Sequence, residues 1–529
     1  MNTMNNIFVN QIGFLPQAQK TAVIEACFSS SGKFSIKNES DETVFEGTGT
    51  LFKNDALSGG DFYLFDFSAF TGTGIFHLVS GKETSPAFKI ADNVYNDLFY
   101  SILRYFSLSR CGEQINDKDW GHKACHTGKT RIYGTTQYIE ASGGWHDAGD
   151  YGRYVVAGSK TIMDLLLAYE ILEQQGTLNK IDFDILGEVR FELEWFLKLQ
   201  RADGAVYHKV SCAGFCGFIP PENEEDELIA SPVSTAATAD FAGCLAFAYS
   251  FFLKKDREFA EKLLEAAKKA QNFLDINCDI VFDNPPGIST GTYGDRNLQD
   301  ERYFALCSLF GATKDQSYLE KALYIRNKGK DFHSAQAWTE AFNWGSVAGY
   351  GSEILLKNEA FIKDKSLIEE IKQYFIEHSK MLLAKISINA FNVAITNIPW
   401  GSNGYLMDEV HAMKVAYDIT KDADILKAAE LQLNYLLGNN PNGYCYVTGF
   451  GTKPVVNPHH RQSAYFKRTM PGMLAGGPCA GLLDAAARKH LAGKAPLQCY
   501  IDHNESYSTN EIAIYWNSPL VLALAWLYR

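Results

Sequence analysis

The sequence predicts two parts in succession, a small antiparallel β-sandwich and then a much longer, mainly α-helical region. Three observations carry that expectation. Roughly the first ninety residues hold short period-two runs broken by Gly, Ser, Asn and Asp. After Asp92 apolar residues recur at helical spacing, and long loops rich in Gly, Pro and aromatic residues separate the helical segments.

Thr21 to Phe28, Phe34 to Ile36, Thr43 to Phe45, Phe62 to Phe67, Ile75 to Val79 and Ala87 to Ile90 read as strands, with turn signals at Ser58-Gly59-Gly60 and Gly72-Thr73-Gly74. With the opening run near Val9 they make about seven strands, the content of a small sandwich. The expected boundary places the sandwich at 1–92 and the helical domain at 93–529.

In the second part, Ile162, Leu165, Leu166 and Tyr169 form one helical stripe. Leu186, Val189, Leu193, Phe196 and Leu197 form another, and Leu426, Ala429, Leu433, Leu436 and Leu437 a third. Further candidates lie near 98–110, 235–253, 256–274, 298–311, 315–330, 345–356, 364–385, 404–418, 472–491 and 509–528. That makes on the order of a dozen helices with no repeated strand signal between them. The connecting loops, Cys111 to Trp145, Ser211 to Pro232, Phe282 to Arg296, Ile395 to Gly404 and Asn439 to Gly472, are long enough that the chemistry is expected there.

Composition narrows the function classes. The chain has 529 residues, 46% hydrophobic and 21% charged, so it can bury at least one large core. A formal charge of −13 without any Lys/Arg-rich run repels a phosphate backbone, and nucleic acid is not an expected partner. The apolar stretches Gly243 to Leu253 and Pro519 to Tyr528 fall short of the roughly 20 residues that span a bilayer, so no membrane association is expected. The opening residues lack a basic start, an apolar stretch and a cleavage site, and eleven cysteines is an odd count. A cytoplasmic protein with reduced thiols is the expectation; its protein partners are not indicated.

The densest polar string is Gly143-Gly144-Trp145-His146-Asp147-Ala148-Gly149-Asp150-Tyr151-Gly152. Two carboxylates three residues apart in a glycine-rich turn can converge on a water or a cation, although a plain turn or a calcium loop has the same look. Glu511 precedes an apolar run, which by itself is also the pattern of a helix-starting charge. In Asn457-Pro458-His459-His460-Arg461, an extended backbone would turn His459 and Arg461 to one side as a hydrogen-bonding wall; structural histidines and a paired arginine are the alternative.

These strings carry a resemblance. The DAGDYG element, the HHR element and the string Tyr500-x-Asp502-x4-Tyr507-x3-Glu511-x-Ala513-x3-Asn517-Ser518 together resemble glycoside hydrolase family 9. Val9-Asn10-Gln11-Ile12-Gly13-Phe14-Leu15-Pro16 resembles the first strand of the immunoglobulin-like domain found in one branch of that family. Ser231 to Ala239, Tyr293-Gly294-Asp295 with Asp300-Glu301-Arg302, and Trp400-Gly401-Ser402-Asn403 extend the likeness over nearly the whole chain. The resemblance implies an immunoglobulin-like β-sandwich followed by an (α/α)6 barrel, and inverting hydrolysis of β-glycosidic bonds, usually in β-1,4-glucan.

By match to the family motifs, Glu511 would be the general acid, Asp150 the principal base and Asp147 a second acceptor for the attacking water. His459 and Arg461 would hold sugar hydroxyls. Trp516, Trp400, Trp338, Trp344 and Tyr507 are candidate stacking surfaces, with Trp516 best placed because it closely follows Glu511. Cys111, Cys125, His126 and His146 match no compact zinc-finger spacing, and spacing alone favours reduced core cysteines. The family resemblance makes them a structural zinc site that pins the loop of Asp147 and Asp150. Calcium also occurs in the family, without ligands assignable here.

The expected substrate is a short imported cello- or chitosan-oligosaccharide, cut from the non-reducing end as by a β-glucosidase or β-glucosaminidase; the alternative is an endo-β-1,4-glucanase. The acidic run Glu222-Asn223-Glu224-Glu225-Asp226-Glu227 would favour an amino sugar if it walls the cleft, and is otherwise a solvated loop. A polysaccharide lyase and a non-catalytic sugar-binding protein are remoter readings. The sandwich is expected to buttress the barrel.

Overall fold

The computed structural model describes residues 6–329 and 342–527. In its sandwich, one sheet runs in the order Ile7–Val9, Thr21–Glu25, Gly60–Asp66, Thr50–Asp55, and the other in the order Gly13–Phe14, Phe88–Ile90, Gly74–Ser80, Lys33–Asn38, Thr43–Thr48. Alternate residues turn inward, so Phe14, Phe34, Ile36, Phe65, Leu78 and Phe88 build the core between the sheets. Gly13 (φ +129°) allows the parallel pairing with Lys89, since a Cβ there would sit 1.9 Å from the Lys89 carbonyl oxygen. The strand Thr50–Asp55 went unforeseen because its largely exposed residues show no apolar alternation.

The helical part supplies twelve helices of ten residues or more among the described residues. Val155–Gln175, Thr235–Phe252, Gln299–Thr313 and Ala348–Lys357 pack one against the next and are buried on most faces. Ile185–Lys198 and Arg257–Ile276 flank them with a single apolar stripe. Asp184, Ser234 and Asp256 each cap a helix start by accepting an amide two or three residues inside it.

Two expectations fail here. The helix foreseen over 472–491 is only Ala485–Leu491, because Gly472 and Gly477 have left-handed φ angles (+89° and +86°) that end regular structure before it. The loops also hold a third sheet of very short strands, in the order Tyr138–Ile139, Thr130–Ile132, Ile229–Ala230, Lys209–Ser211, Arg153–Tyr154. Strands of two or three residues leave no periodic trace in a sequence.

By compactness the chain divides in two: residues up to Tyr105 with those from Ser379 onward form one unit, and Phe106–His378 form the other. Within the first unit the sandwich is docked on the C-terminal helices. Asn10 Nδ2 donates to Asn434 Oδ1 (3.0 Å), and Phe391 meets Phe8 and Phe62 edge-on. No helix among the described residues is long and apolar enough to cross a membrane.

Candidate active site and metal centre

In the unit Phe106–His378, the glycine-rich string folds as a closed turn. The Asp147 amide donates to Gly152 O (3.0 Å), and the Gly152 amide returns a bond to Asp150 Oδ2 (3.0 Å). A Cβ at Gly152 would lie 2.5 Å from the Tyr154 hydroxyl and 2.8 Å from that same oxygen, so a larger residue would displace both side chains. Asp147 is 1% exposed and Asp150 8%. Tyr154, on the strand that follows, donates to Asp150 Oδ2 (3.4 Å).

Tyr293 donates to Asp147 Oδ2 (2.5 Å) from the far side of the long loop that begins at Phe282, and Asp147 Oδ1 is buried without a protein partner. Burial first and the Asp150 charge second push the Asp147 carboxyl well above its usual range, against the Tyr293 hydrogen bond. Tyr293 has a left-handed backbone (φ +47°) and packs against Tyr154 (4.6 Å) and Trp344 (4.9 Å). Sequence reasoning gave Tyr293 no role, although it lies in one of the strings that carried the resemblance.

Beside this turn, Cys111, Cys125, His126 and His146 are buried, and their donor atoms all lie within 4.8 Å of one another. Cys111 Sγ is 3.5 Å from His126 Nδ1, Cys125 Sγ is 3.7 Å from His146 Nε2, and the two sulfurs are 4.0 Å apart, too far for a disulfide. Burial opposes ionisation of Cys111, but the Cys125 thiol and the Arg153 and His146 charges outweigh it and hold Cys111 well below the usual thiol range. His126 Nε2 meets Glu224 Oε2 at 3.0 Å, an outer partner that orients the ring. Backbone pairing joins this cluster to the Asp147 turn, from the Cys111 amide to Gly144 O (2.8 Å) and from the His146 amide to Ser109 O (2.7 Å). Trp145 is clamped from one helix, its amide by Glu192 (2.7 Å) and its indole by Glu188 (2.7 Å).

The acidic run is therefore not a free wall. Glu224 serves His126, and Glu227 pairs with Arg131 at 2.8 Å.

In the other unit, Glu511 does not start the helix that follows it. It sits in extended backbone (φ −70°, ψ 160°) between the turn Tyr507–Asn510 and the helix Ile514–Leu527. It is half-buried between fully buried Asn510 and Ile512, so its side chain is the one the segment presents. Residues 459 and 511 bridge in parallel, with the His459 amide on Asn510 O (2.8 Å) and His459 Nδ1 on Asn504 O (2.6 Å). The extended run stops at His460, because Arg461 opens the short helix Arg461–Phe466. Arg461 is buried while His459 is half-buried, so strict alternation is not kept.

Trp516 is a correction. It is 5% exposed, and Cβ atoms at Gly401, Gly404 and Gly476 would all strike its ring, so it is core packing without a face for a sugar. Trp400 (40% exposed) and Tyr507 (36%) keep open surface and lie 5.3 Å apart. Trp338 lies outside the described residues.

The geometry can be set beside known proteins. The profile of glycosyl hydrolase family 9 matches residues 95–524, and that of the cellulase N-terminal ig-like domain matches residues 2–85. The chain belongs to glycosyl hydrolase family 9. This family 9 chain is 35% identical to a cellodextrinase of Butyrivibrio fibrisolvens over 99% of both chains, and 34% identical to endoglucanase D of Acetivibrio thermocellus over 98% of this chain and 83% of that one. A thermostable endoglucanase from Alicyclobacillus acidocaldarius superposes with a TM-score of 0.91 at 33% identity, covering 99% of this chain and 100% of that one. The fold is an N-terminal immunoglobulin-like sandwich followed by the (α/α)6 barrel of the family. The protein is an inverting glycoside hydrolase of the cellulase family, and the lyase and non-catalytic readings fall with that finding.

Proposed function

We propose that this family 9 chain hydrolyses short β-1,4-linked gluco-oligosaccharides from the non-reducing end, with Glu511 as general acid, Asp150 as base and Asp147 as second acceptor of the water. Inversion needs the acid on one face of the sugar and the activated water on the other, with carboxyls roughly 6.5 to 9.5 Å apart. The observation that carries the substrate is the match over 99% of both chains to a protein named cellodextrinase. Commitment of Glu224 to His126 and of Glu227 to Arg131 weighs against an amino sugar. Nine thiols outside the Cys111 and Cys125 pair, none of them in a disulfide, support a reducing, cytoplasmic setting.

The metal is zinc in this reading. Tetrahedral zinc at its usual bond lengths sets sulfur and nitrogen donors about 3.6 Å apart and two sulfurs about 3.8 Å apart, and the distances here are 3.5, 3.7 and 4.0 Å. With four protein ligands it would supply rigidity to the Asp147 turn. A relative solved as a zinc-binding triple mutant of a family 9 endoglucanase, 28% identical over 97% of this chain with a TM-score of 0.90, supports the choice.

A chromatographic time course on alditol-capped cellotetraose and its deacetylated chitosan counterpart tests the reading. Glucose as the sole early product is expected. Mixed short oligomers would favour the endo-β-1,4-glucanase reading, for which the similarity to endoglucanase D speaks. Glu511→Gln is expected to abolish turnover of cellotetraose while sparing binding; a rate near wild type would remove Glu511 as the acid.

A further inference from the structure

Strand Lys209–Ser211 lies beside the catalytic turn, and Lys209 is fully buried. A buried ammonium is costly unless each of its protons finds an acceptor. Lys209 Nζ has three close ones, Asn284 Oδ1 (2.6 Å), Gly291 O (2.6 Å) and Thr290 Oγ1 (3.0 Å). All three belong to the loop that carries Tyr293. His208, the preceding residue, holds the same loop by Nε2 on Thr292 O (3.0 Å) and by stacking on Phe282 at 3.7 Å.

Lys209 also reaches the second carboxylate. In the sheet it is registered directly opposite Tyr154, with Nζ 5.5 Å from that ring, and Tyr154 donates to Asp150. One side chain is thus connected to Asp147 through the Tyr293 loop and to Asp150 through Tyr154.

We propose that Lys209 is the positioning residue of the base: its ammonium fixes both the loop that brings Tyr293 to Asp147 and the tyrosine that orients Asp150. This rests on the assignment of Asp150 and Asp147 made above. The charged or titratable groups facing Lys209 are Asp150 and Tyr154 from the paired turn and strand, and His208 beside it. Burial keeps His208 neutral, pushing it down to about 3, and raises the Tyr154 hydroxyl. Burial also pushes Lys209 down to about 7, with Asp150 opposing. Above that pH the ammonium loses its proton, one of the three bonds to the loop and its attraction for Asp150, so turnover is expected to decline there.

The test uses the full chain and two substrates, cellotetraose and 2,4-dinitrophenyl β-glucoside, whose scissile bond carries a leaving group that needs no general acid. Lys209→Met is expected to lower kcat on both by about a hundredfold, the lower range for a misplaced general base, with KM within about twofold. Lys209→Arg, which stays charged, is expected to recover part of the rate and shift the alkaline decline to higher pH. Asn284→Ala, on the partly exposed loop, removes one acceptor and is expected to lower kcat in the same direction while the fold persists. Unchanged kcat in Lys209→Met overturns the proposal. Should that variant fail to fold, wild-type kcat in Asn284→Ala together with an unshifted profile in Lys209→Arg overturns it equally. Asp150→Asn separates the two claims: activity kept there on the activated substrate removes the base assignment, whereas activity lost there and kept in Lys209→Met removes only the role of Lys209.

Discussion

Asp147 has two carboxyl oxygens with different surroundings: Oδ2 receives the Tyr293 hydroxyl and Oδ1 is a buried acceptor with no protein donor. Without the hydroxyl, the carboxyl can turn away from the position in which Oδ1 would meet the water. Leaving a buried acceptor without its donor costs about 1 to 3 kcal/mol, so Tyr293→Phe is expected to lower kcat by about fivefold to a hundredfold with little change in KM. Steady-state kinetics on cellotetraose check this, and an unchanged kcat would mean that the backbone of the turn suffices. His208 gives a second, purely thermodynamic expectation. Its folded pKa of about 3 lies below the unfolded value of 6.5, so the unfolded chain binds more protons between those limits. The stability from its neutral form is complete above pH 6.5 and is lost as pH falls toward 3, at about 1.4 kcal/mol per pH unit. Denaturant unfolding at pH 7 and pH 5 should show a shallower acid decline in His208→Gln than in wild type; equal slopes would place the acid sensitivity elsewhere. Asp147 and Asp150 were legible in the sequence because they are close together in one motif. Tyr293 and Lys209 were not, since each is a single polar residue brought in from a distant loop or strand.

The loop from Cys111 to Trp145 has little regular structure, so its shape depends on the Cys/His cluster that draws its start, its middle and its end together. Glu224 is expected to matter through His126, because a carboxylate behind a histidine ligand fixes ring and tautomer. Glu224→Gln should weaken zinc binding by about tenfold to a hundredfold, measured by chelator competition, and zinc removal should lower both kcat and melting temperature. Purified protein with far less than one equivalent of zinc and full activity would refute the assignment. At this level the sequence spoke unevenly. Long helices and core strands were found because burial repeats along them. The strand Thr50–Asp55, the third sheet and the glycine-interrupted stretch before Ala485 were misjudged because exposure, brevity or positive φ removes the repeat. Trp516 was misplaced for another reason: nearness to Glu511 in sequence says nothing about which face of a helix a ring occupies, and three distant glycines decide it.

The sandwich and the helical part are continuous blocks in sequence, yet the compact units cut across them, the sandwich joining the chain from Ser379 onward. Gln11 makes this concrete. Its Nε2 donates to Gly443 O (2.8 Å), and its Oε1 accepts from the amides of Thr452 (2.9 Å) and Lys453 (2.8 Å). Gly438 and Gly451 lie so close that Cβ atoms there would sit 2.7 Å from the Gln11 amide nitrogen and oxygen. A buried amide that joins a strand end to a loop more than four hundred residues later has no signature in the sequence beyond the motif itself. Gln11→Ala leaves those amides to find solvent through a partly exposed loop, at a cost of about 1 to 3 kcal/mol. In a chain of 529 residues that lowers the melting temperature by about 1 °C per kcal/mol. If the sandwich acts as a buttress, kcat of Gln11→Ala at 25 °C stays near wild type while the thermal transition moves down or splits. A loss of kcat with an unmoved transition would instead give the sandwich a part in shaping the loop from Asn439 to Gly472, and the buttress reading would be wrong.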